Sequence, residues 1–199
     1  MGRDIRIGRR RFMILAGSGL VSLAIPRPSD AAEQSWQAMR SGKAIVLMRH
    51  AQAPGTGDPE GFRLGDCRTQ RNLSEAGRSD ARAVGALFRQ NGISAARVYS
   101  SQWCRCLDTA RLLGLGPVTE QPLLNSFFDS RGDGDRQTRG LQNWMSEQTG
   151  STPIVLVTHQ VNITSLTGIF PASGELIVIT KPNGGPITVL NRISLTSAG

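Results

Sequence analysis

The chain has 199 residues and a formal net charge of +8, with 39% hydrophobic and 19% charged residues. That length supports one domain with a full core and is too short for two comfortable ones. The basicity is unevenly spread: residues 1–31 hold six arginines against two aspartates, leaving 17 basic and 13 acidic residues, a net of +4, in the remainder. No run of basic residues interleaved with aromatics follows, so the composition argues against a nucleic-acid partner. The modest positive excess suits a small anionic one.

The first segment reads as an export signal. Arg9-Arg10-Arg11-Phe12 opens an uncharged apolar or small stretch from Met13 to Ile25, and Pro26, Pro28 and Ser29-Asp30-Ala31-Ala32 follow. A basic start, a short apolar middle and a small-residue end make a secretory signal. Paired arginines followed by Phe point to the twin-arginine route, with its export machinery as a transient partner. Thirteen residues fall short of the ~20 needed to span a bilayer. The expected organisation is therefore a cleaved signal over 1–31 and a domain over 32–199, periplasmic or secreted in a bacterium, with no membrane attachment after cleavage. An oxidising compartment allows one disulfide among Cys67, Cys104 and Cys106. Cys104 and Cys106 are too close to pair, which leaves Cys67 with one of them, or three free thiols.

In chain order, Glu33 to Gly42 reads as a short lead-in helix or coil, and Ala44-Ile45-Val46-Leu47-Met48 as a buried strand ending at Arg49-His50. A long Gly-, Pro-, Asp- and Arg-rich loop runs to Asn72; loops of this length without periodicity are usually functional or disordered. A helix with a Ser cap starts at Leu73-Ser74-Glu75-Ala76-Gly77 and continues through Ala83, Val84, Leu87 and Phe88 to about Gln90. A second strand over 95–100 ends in Ser100-Ser101. A helix from Trp103 to Leu113 is stopped by Gly114 and Gly116-Pro117. Val118-Thr119-Glu120 gives a third strand, residues 137–148 a helix, and Ile154 to Thr158 a fourth strand ending at His159. A short helix lies near 162–168, and 175–180 with 187–193 form a terminal hairpin turned at Asn183-Gly184-Gly185. Strands alternating with helices predict an α/β fold, a three-layer α/β/α sandwich with a mostly parallel central sheet.

The two histidines, His50 and His159, are the only ones in the chain, and each follows an apolar strand. In open α/β sheets, ligands bind outside the carboxyl ends of parallel strands. The second strand end adds Arg105 at the start of a helix. Two arginines and two histidines in one crevice suit phosphoryl transfer, whose loose transition state spreads charge over three equatorial oxygens. Guanidinium forks match such oxygens bidentately. A neutral imidazole can attack phosphorus and form a covalent intermediate.

These residues sit in segments that resemble the histidine phosphatase, or phosphoglycerate mutase-like, superfamily. Leu47-Met48-Arg49-His50-Ala51 resembles its signature, Leu73-Ser74-Glu75-Ala76-Gly77-Arg78 its Leu-Thr-x-x-Gly segment, and Ser101 through Arg105 to Thr109-Ala110 its Ser-x-x-x-Arg-x-x-x-Thr-Ala segment. Val157-Thr158-His159 resembles the strand end bearing its second His. The four matches fall in family order over residues 44–168. The resemblance implies a phosphoglycerate mutase-like fold and a cofactor-independent phosphatase acting on phosphomonoesters or other small phosphorylated compounds. It makes His50 the nucleophile, Arg49 and Arg105 the phosphate clamps, His159 the second pocket histidine, and Thr56 an additional phosphate contact.

Two departures bear on that reading. Ala51 stands where the family usually has Gly. The proton donor is also missing: the mutase branch has a Glu in the segment matching Pro122-Leu123-Leu124-Asn125, where this chain has Asn125, and the acid phosphatase branch has Asp after the second His, where this chain has Gln160. Asp129, Asp66 or Glu60 is expected to substitute from a loop, Asp129 first. The rival reading is a catalytically silent phosphate-binding module that keeps the anion pocket. Neither a metal nor another cofactor is expected, since Cys104 and Cys106 lack a second close ligand pair. Ser100 and Ser101 lack the Gly-x-Ser-x-Gly elbow of serine hydrolases.

Overall fold

A computed structural model describes Met1 and residues 28–128, 131–182 and 185–195. Six strands form one sheet: β1 (Ala44–Arg49), β2 (Arg97–Ser100), β3 (Val118–Glu120), β4 (Ile154–Thr158), β5 (Leu176–Thr180) and β6 (Val189–Ile193), in the spatial order β3-β2-β4-β1-β5-β6. The four strands β3, β2, β4 and β1 run parallel to their neighbours, and β5 and β6 add antiparallel on the β1 side. The sheet is mostly parallel, as the sequence predicts, with the terminal hairpin supplying its antiparallel edge; the Asn183-Gly184 part of the predicted turn lies outside the described residues.

Alternation along the central strands sorts side chains onto two faces. Val46, Met48, Val155, Val157, Leu176 and Val178 meet α1 (Pro28–Arg40), α2 (Glu75–Gln90) and α3 (Cys104–Leu113) through Trp36, Met39, Val84, Phe88, Ala110 and Leu113. Ile45, Leu47, Ile154, Leu156, Ile177 and Ile179 meet α4 (Gly134–Ser146) and α5 (Gln160–Thr167) through Leu141, Met145, Ile163 and Leu166. Both faces of the middle strands are covered, which is why β1, β4 and β5 are apolar at every position before their last. The predicted three-layer α/β/α sandwich is the architecture found.

Element boundaries differ from the sequence reading at helix starts. The lead-in segment is a helix that begins at Pro28, so the predicted 31/32 signal boundary falls within its early turns, while its core residues Trp36 and Met39 lie after that boundary. Residues 2–27, most of the predicted signal, lie outside the described residues. Helix α4 begins at Gly134, three residues before the predicted start, because Gly134 is buried against the Phe127 ring and apolar periodicity alone does not register a glycine start. Helix α2 has the predicted Ser cap: the Ser74 Oγ accepts a hydrogen bond from the Gly77 N–H at 3.0 Å. Ala51 is tolerated in place of Gly because no described non-glycine residue has positive φ, and its buried side chain packs with Ala53, Leu73 and Ala81.

Helices α2 and α3 touch where Gly85 faces the end of α3. A Cβ at Gly85 would stand 2.1 Å from the Leu113 carbonyl oxygen. Helix propensity alone favours Ala over Gly by about 1 kcal/mol, so the steric effect has the opposite sign. Gly85→Ala is expected to destabilise the protein by about 2–3 kcal/mol in urea unfolding. An unchanged or higher midpoint would show that the two helices are not in backbone contact.

Candidate active site

The β1–β4 register places Arg49 opposite Thr158, and the His50 N–H donates to the Thr158 carbonyl at 2.9 Å. The next residue on each strand is a histidine. Their rings lie 5.6 Å apart, centroid to centroid, in an edge-to-face arrangement. β2 pairs with the other side of β4, so Ser101 and the start of α3 open onto the same crevice. Thr109 joins the two halves: its Oγ1 accepts from the Ala51 N–H at 3.0 Å and donates to the Arg105 carbonyl at 2.7 Å. A threonine one turn after Arg105 thus fixes the helix bearing Arg105 against the strand end bearing His50.

A cavity of about 170 Å³ opens here, lined by Arg49, His50, Thr56, Arg105 and His159, among others. The predicted nucleophile, phosphate contacts and second histidine therefore share one cavity. Asp129 lies outside the described residues. The volume falls below the roughly 300–1,000 Å³ of sites for drug-sized ligands, which suits a phosphoryl group with the remainder of its carrier at the mouth.

The His50 ring is buried. Its Nδ1 is 2.8 Å from the Ala51 carbonyl oxygen. A carbonyl can only accept, so Nδ1 carries the proton and Nε2 keeps its lone pair. Burial pushes the ring down to about 3, against the opposing pull of the Ala51 hydrogen bond and with Arg105, Arg49 and Arg71 adding in the downward direction. The His159 ring is also held well below the ordinary histidine range, first by burial and then by His50 and the arginines. Its Nε2 lies 2.8 Å from the Ser101 hydroxyl and its Nδ1 3.5 Å from Arg105 Nη2. Both imidazoles are neutral at neutral pH, and the positive charge of the cavity belongs to guanidinium groups.

Two charged residues of the cavity escape the sequence reading. Arg71 lines it beside Arg49 and Arg105, held by hydrogen bonds from its Nε to the Gly57 carbonyl and from its Nη1 to the Ala53 carbonyl. Its signal was position: it lies two residues before the Leu73-Ser74 segment. Asp58 also lines the cavity and binds Arg105 through both carboxylate oxygens, at 2.5 and 3.3 Å. The Trp103 indole N–H donates to Asp58 Oδ2 at 2.8 Å. Burial alone would raise the Asp58 carboxyl, but hydrogen bonds from Arg105 and Trp103 outweigh it and hold the group below its ordinary range. Nothing in the sequence marks Asp58 out from the other acids of the same loop.

The other expected donors sit elsewhere. Asp66 caps a short 3₁₀ turn and pairs with Arg63 and Arg68, and neither it nor Glu60 lines the cavity. Asn125 is occupied structurally: its Oδ1 accepts from the Gln102 N–H at 2.9 Å and the Ser101 hydroxyl at 3.3 Å, and its amide donates to Gln102 Oε1 at 2.9 Å. Gln160 does line the cavity, as a neutral amide.

The loop after β1 is tied to the start of α3 at three points. Cys67 and Cys104 form a disulfide, the Gln70 side chain accepts from the Cys104 N–H at 2.9 Å, and Asp58 holds Arg105 and Trp103. Cys106 remains a free buried thiol, pushed up to about 12 by burial, and stays protonated beside His159. Among the described residues no cluster of three or more His, Cys, Asp or Glu could hold a metal ion.

Comparison with known proteins follows the same outline. Residues 45–127 match the family model of the histidine phosphatase superfamily (branch 1). No curated protein sequence matches the chain. Among solved structures, the protein histidine phosphatase SixA complexed with tungstate is similar at 18% identity and a TM-score of 0.57, over 78% of this chain and 99% of that one. A mycobacterial glucosyl-3-phosphoglycerate phosphatase complexed with VO3 is similar at 15% identity and a TM-score of 0.54, over 74% and 97%. A phosphoserine phosphatase from Entamoeba histolytica, in complex with 3-phosphoglyceric acid, is similar at 16% identity and a TM-score of 0.54, over 76% and 96%. These likenesses establish the shared fold, and the stretch that matches branch 1 of the histidine phosphatase superfamily, residues 45–127, contains His50 and Arg105.

Proposed function

We propose that the chain hydrolyses small phosphorylated compounds through a phosphohistidine formed on His50. The observation that carries this reading is the free Nε2 lone pair of a neutral, buried His50 in a cavity ringed by Arg49, Arg71 and Arg105. The arginines hold the phosphoryl oxygens and oppose their charge as it develops. His50 Nε2 attacks phosphorus, the bond to the leaving oxygen breaks, and that oxygen takes a proton. Water then attacks the phosphohistidine, the P–N bond breaks, and its electron pair returns to Nε2. Thr56 and His159 complete the contacts around the phosphoryl group, with Ser101 orienting the His159 ring.

Turnover of para-nitrophenyl phosphate by the purified protein tests the reading, since this leaving group needs little help. Activity is expected in the wild type, and His50→Ala is expected to lower it by at least about 10³-fold. Phosphate binding without turnover in either protein would instead identify a silent binding module.

Export by the twin-arginine route is supported by Arg9-Arg10 with Phe12 and fits a protein that carries a Cys67–Cys104 disulfide. Replacing Arg9 and Arg10 with lysine is expected to leave folded protein inside the cell, as read by cell fractionation. Unchanged export of that variant would exclude the route.

The neutral ring that the reaction needs also makes stability depend on pH. A histidine near 6.5 when unfolded and about 3 when folded binds its proton only in the unfolded chain between those values. Its contribution is complete above about pH 6.5 and is lost as pH falls toward 3, at up to about 1.4 kcal/mol per pH unit. His159 acts in the same direction. The urea midpoint is expected to fall between pH 7 and pH 5, and less steeply in His50→Gln. Identical slopes in the two proteins would show that His50 is not held neutral.

A further inference from the structure

The reaction proposed above needs a proton at the leaving oxygen, and the two positions where the family places its acid are amides here. Asp58 is the one carboxylate among the described residues that lines the cavity. It also occupies the Arg105 fork as a phosphate would, with two oxygens on two nitrogens. Resting on the phosphohistidine reading, we propose that Asp58 yields Arg105 to the incoming phosphoryl group and then serves as the proton donor to the leaving oxygen.

The exchange follows from charge and geometry. A phosphoryl group brings up to two negative charges and the same bidentate fit to a guanidinium, against one charge on the carboxylate. Once displaced, Asp58 has lost its cation and faces a phosphoryl anion, and both changes favour its protonated form. Its Oδ2 keeps the hydrogen bond from the Trp103 indole, 2.8 Å away in the resting site, so the carboxyl stays at the cavity wall. Its Oδ1, the oxygen nearest Arg105 at 2.5 Å, is the one released to carry the proton.

The steps balance. A phosphate monoester bound as its monoanion passes its proton to Asp58 Oδ1 as the dianion settles on Arg105. His50 Nε2 then attacks phosphorus, the P–O bond to the leaving group breaks, and the Asp58 proton departs with the alcohol. In the second half, the Asp58 carboxylate takes a proton from the water that attacks phosphorus while the P–N bond breaks. Free phosphate leaves with that proton, and Asp58 returns to Arg105.

The experiment compares kcat/KM for para-nitrophenyl phosphate, whose leaving group needs little protonation, with that for glycerol phosphate, whose alkoxide needs a proton. Wild type, D58N and D129N are each assayed, and the affinity of each for inorganic phosphate is measured. D58N is expected to lose about 100-fold more on glycerol phosphate than on para-nitrophenyl phosphate and to bind phosphate more tightly, because the internal competitor is gone. Equal losses on the two substrates, or weaker phosphate binding, would make Asp58 a prop for Arg105 and overturn the proposal. Selective loss in D129N instead of D58N would overturn it too. If D58N does not fold, D58E carries the test: it keeps an acid and must keep the wild-type ratio between the substrates, and a ratio skewed against glycerol phosphate overturns the proposal. Wild-type inactivity on both substrates, or activity that survives His50→Ala, would strike the phosphohistidine reading itself and Asp58's role with it. An unselective D58N loss leaves that reading standing.

Discussion

The in-register parallel pairing of β1 with β4 is the constraint from which the site follows. Because Arg49 is opposite Thr158 and the His50 N–H is bonded to the Thr158 carbonyl, the chain leaves both strands at the same height, with a histidine next on each. Such a pairing is intolerant of slippage, since moving one strand by a single residue would turn its buried side chains to the wrong layer. Val46 and Met48 belong to the core beneath α1–α3, whereas Ile45 and Leu47 belong to the core beneath α4 and α5. The hydrophobic cores therefore set the relative position of two imidazoles that neither core contains. Crossover of the chain between β1 and β4 then brings β2 to the far side of β4, and with it Arg105.

The cavity built on that pairing is electrostatically divided. Its cations are guanidinium groups, which stay charged under any conditions the protein meets, and its imidazoles are kept neutral by burial and by those same cations. The division matters for the proposed reaction because a histidinium cannot attack phosphorus, while an anion pocket without fixed positive charge would not hold a phosphoryl group. Placing three arginines around a small volume costs desolvation and mutual repulsion. Asp58 relieves part of that cost in the resting site. The hydrogen bonds that hold Arg71 to the Gly57 and Ala53 carbonyls, and Arg49 to the Pro171 carbonyl, fix the guanidinium planes before any ligand arrives.

How far the sequence revealed this arrangement depended on whether a residue belonged to a regular element. His50, His159 and Arg105 lie at strand ends or a helix start whose apolar patterns are plain, so the strand alternation that predicts the fold also predicts their convergence. Helix starts were less legible: α1 and α4 begin earlier than their apolar periodicity shows, at Pro28 and Gly134, because neither residue adds to a hydrophobic stripe. The loop between His50 and Asn72 was least legible. Its conformation comes from long-range ties, the Cys67–Cys104 bond and the Gln70 contact to α3 among them, and no local pattern encodes them. Arg71 and Asp58 both sit in that loop. Trp103 shows the same limit: the sequence marks it only as a helix start, and the structure adds an indole N–H that donates to Asp58 while its ring stacks on Phe62.

Those ties also decide how an anion can enter. A loop fastened only at its ends could open the cavity by swinging away and carrying Asp58 with it. Here the disulfide, the Gln70 contact and the Trp103–Asp58 hydrogen bond all anchor the loop to the same first turn of α3 that bears Arg105. A swing of the loop would have to drag or break that turn, whereas a carboxylate can leave a guanidinium by rotation about its own side-chain bonds. Exchange of Asp58 for a phosphoryl group is therefore the smaller motion. It leaves the carboxyl within the cavity wall, held by the Trp103 indole. Because Asn125 and Gln160 are amides, the proposed reaction leaves Asp58, which neutralises Arg105 in the resting site, as the residue that holds the proton once a phosphoryl group is bound.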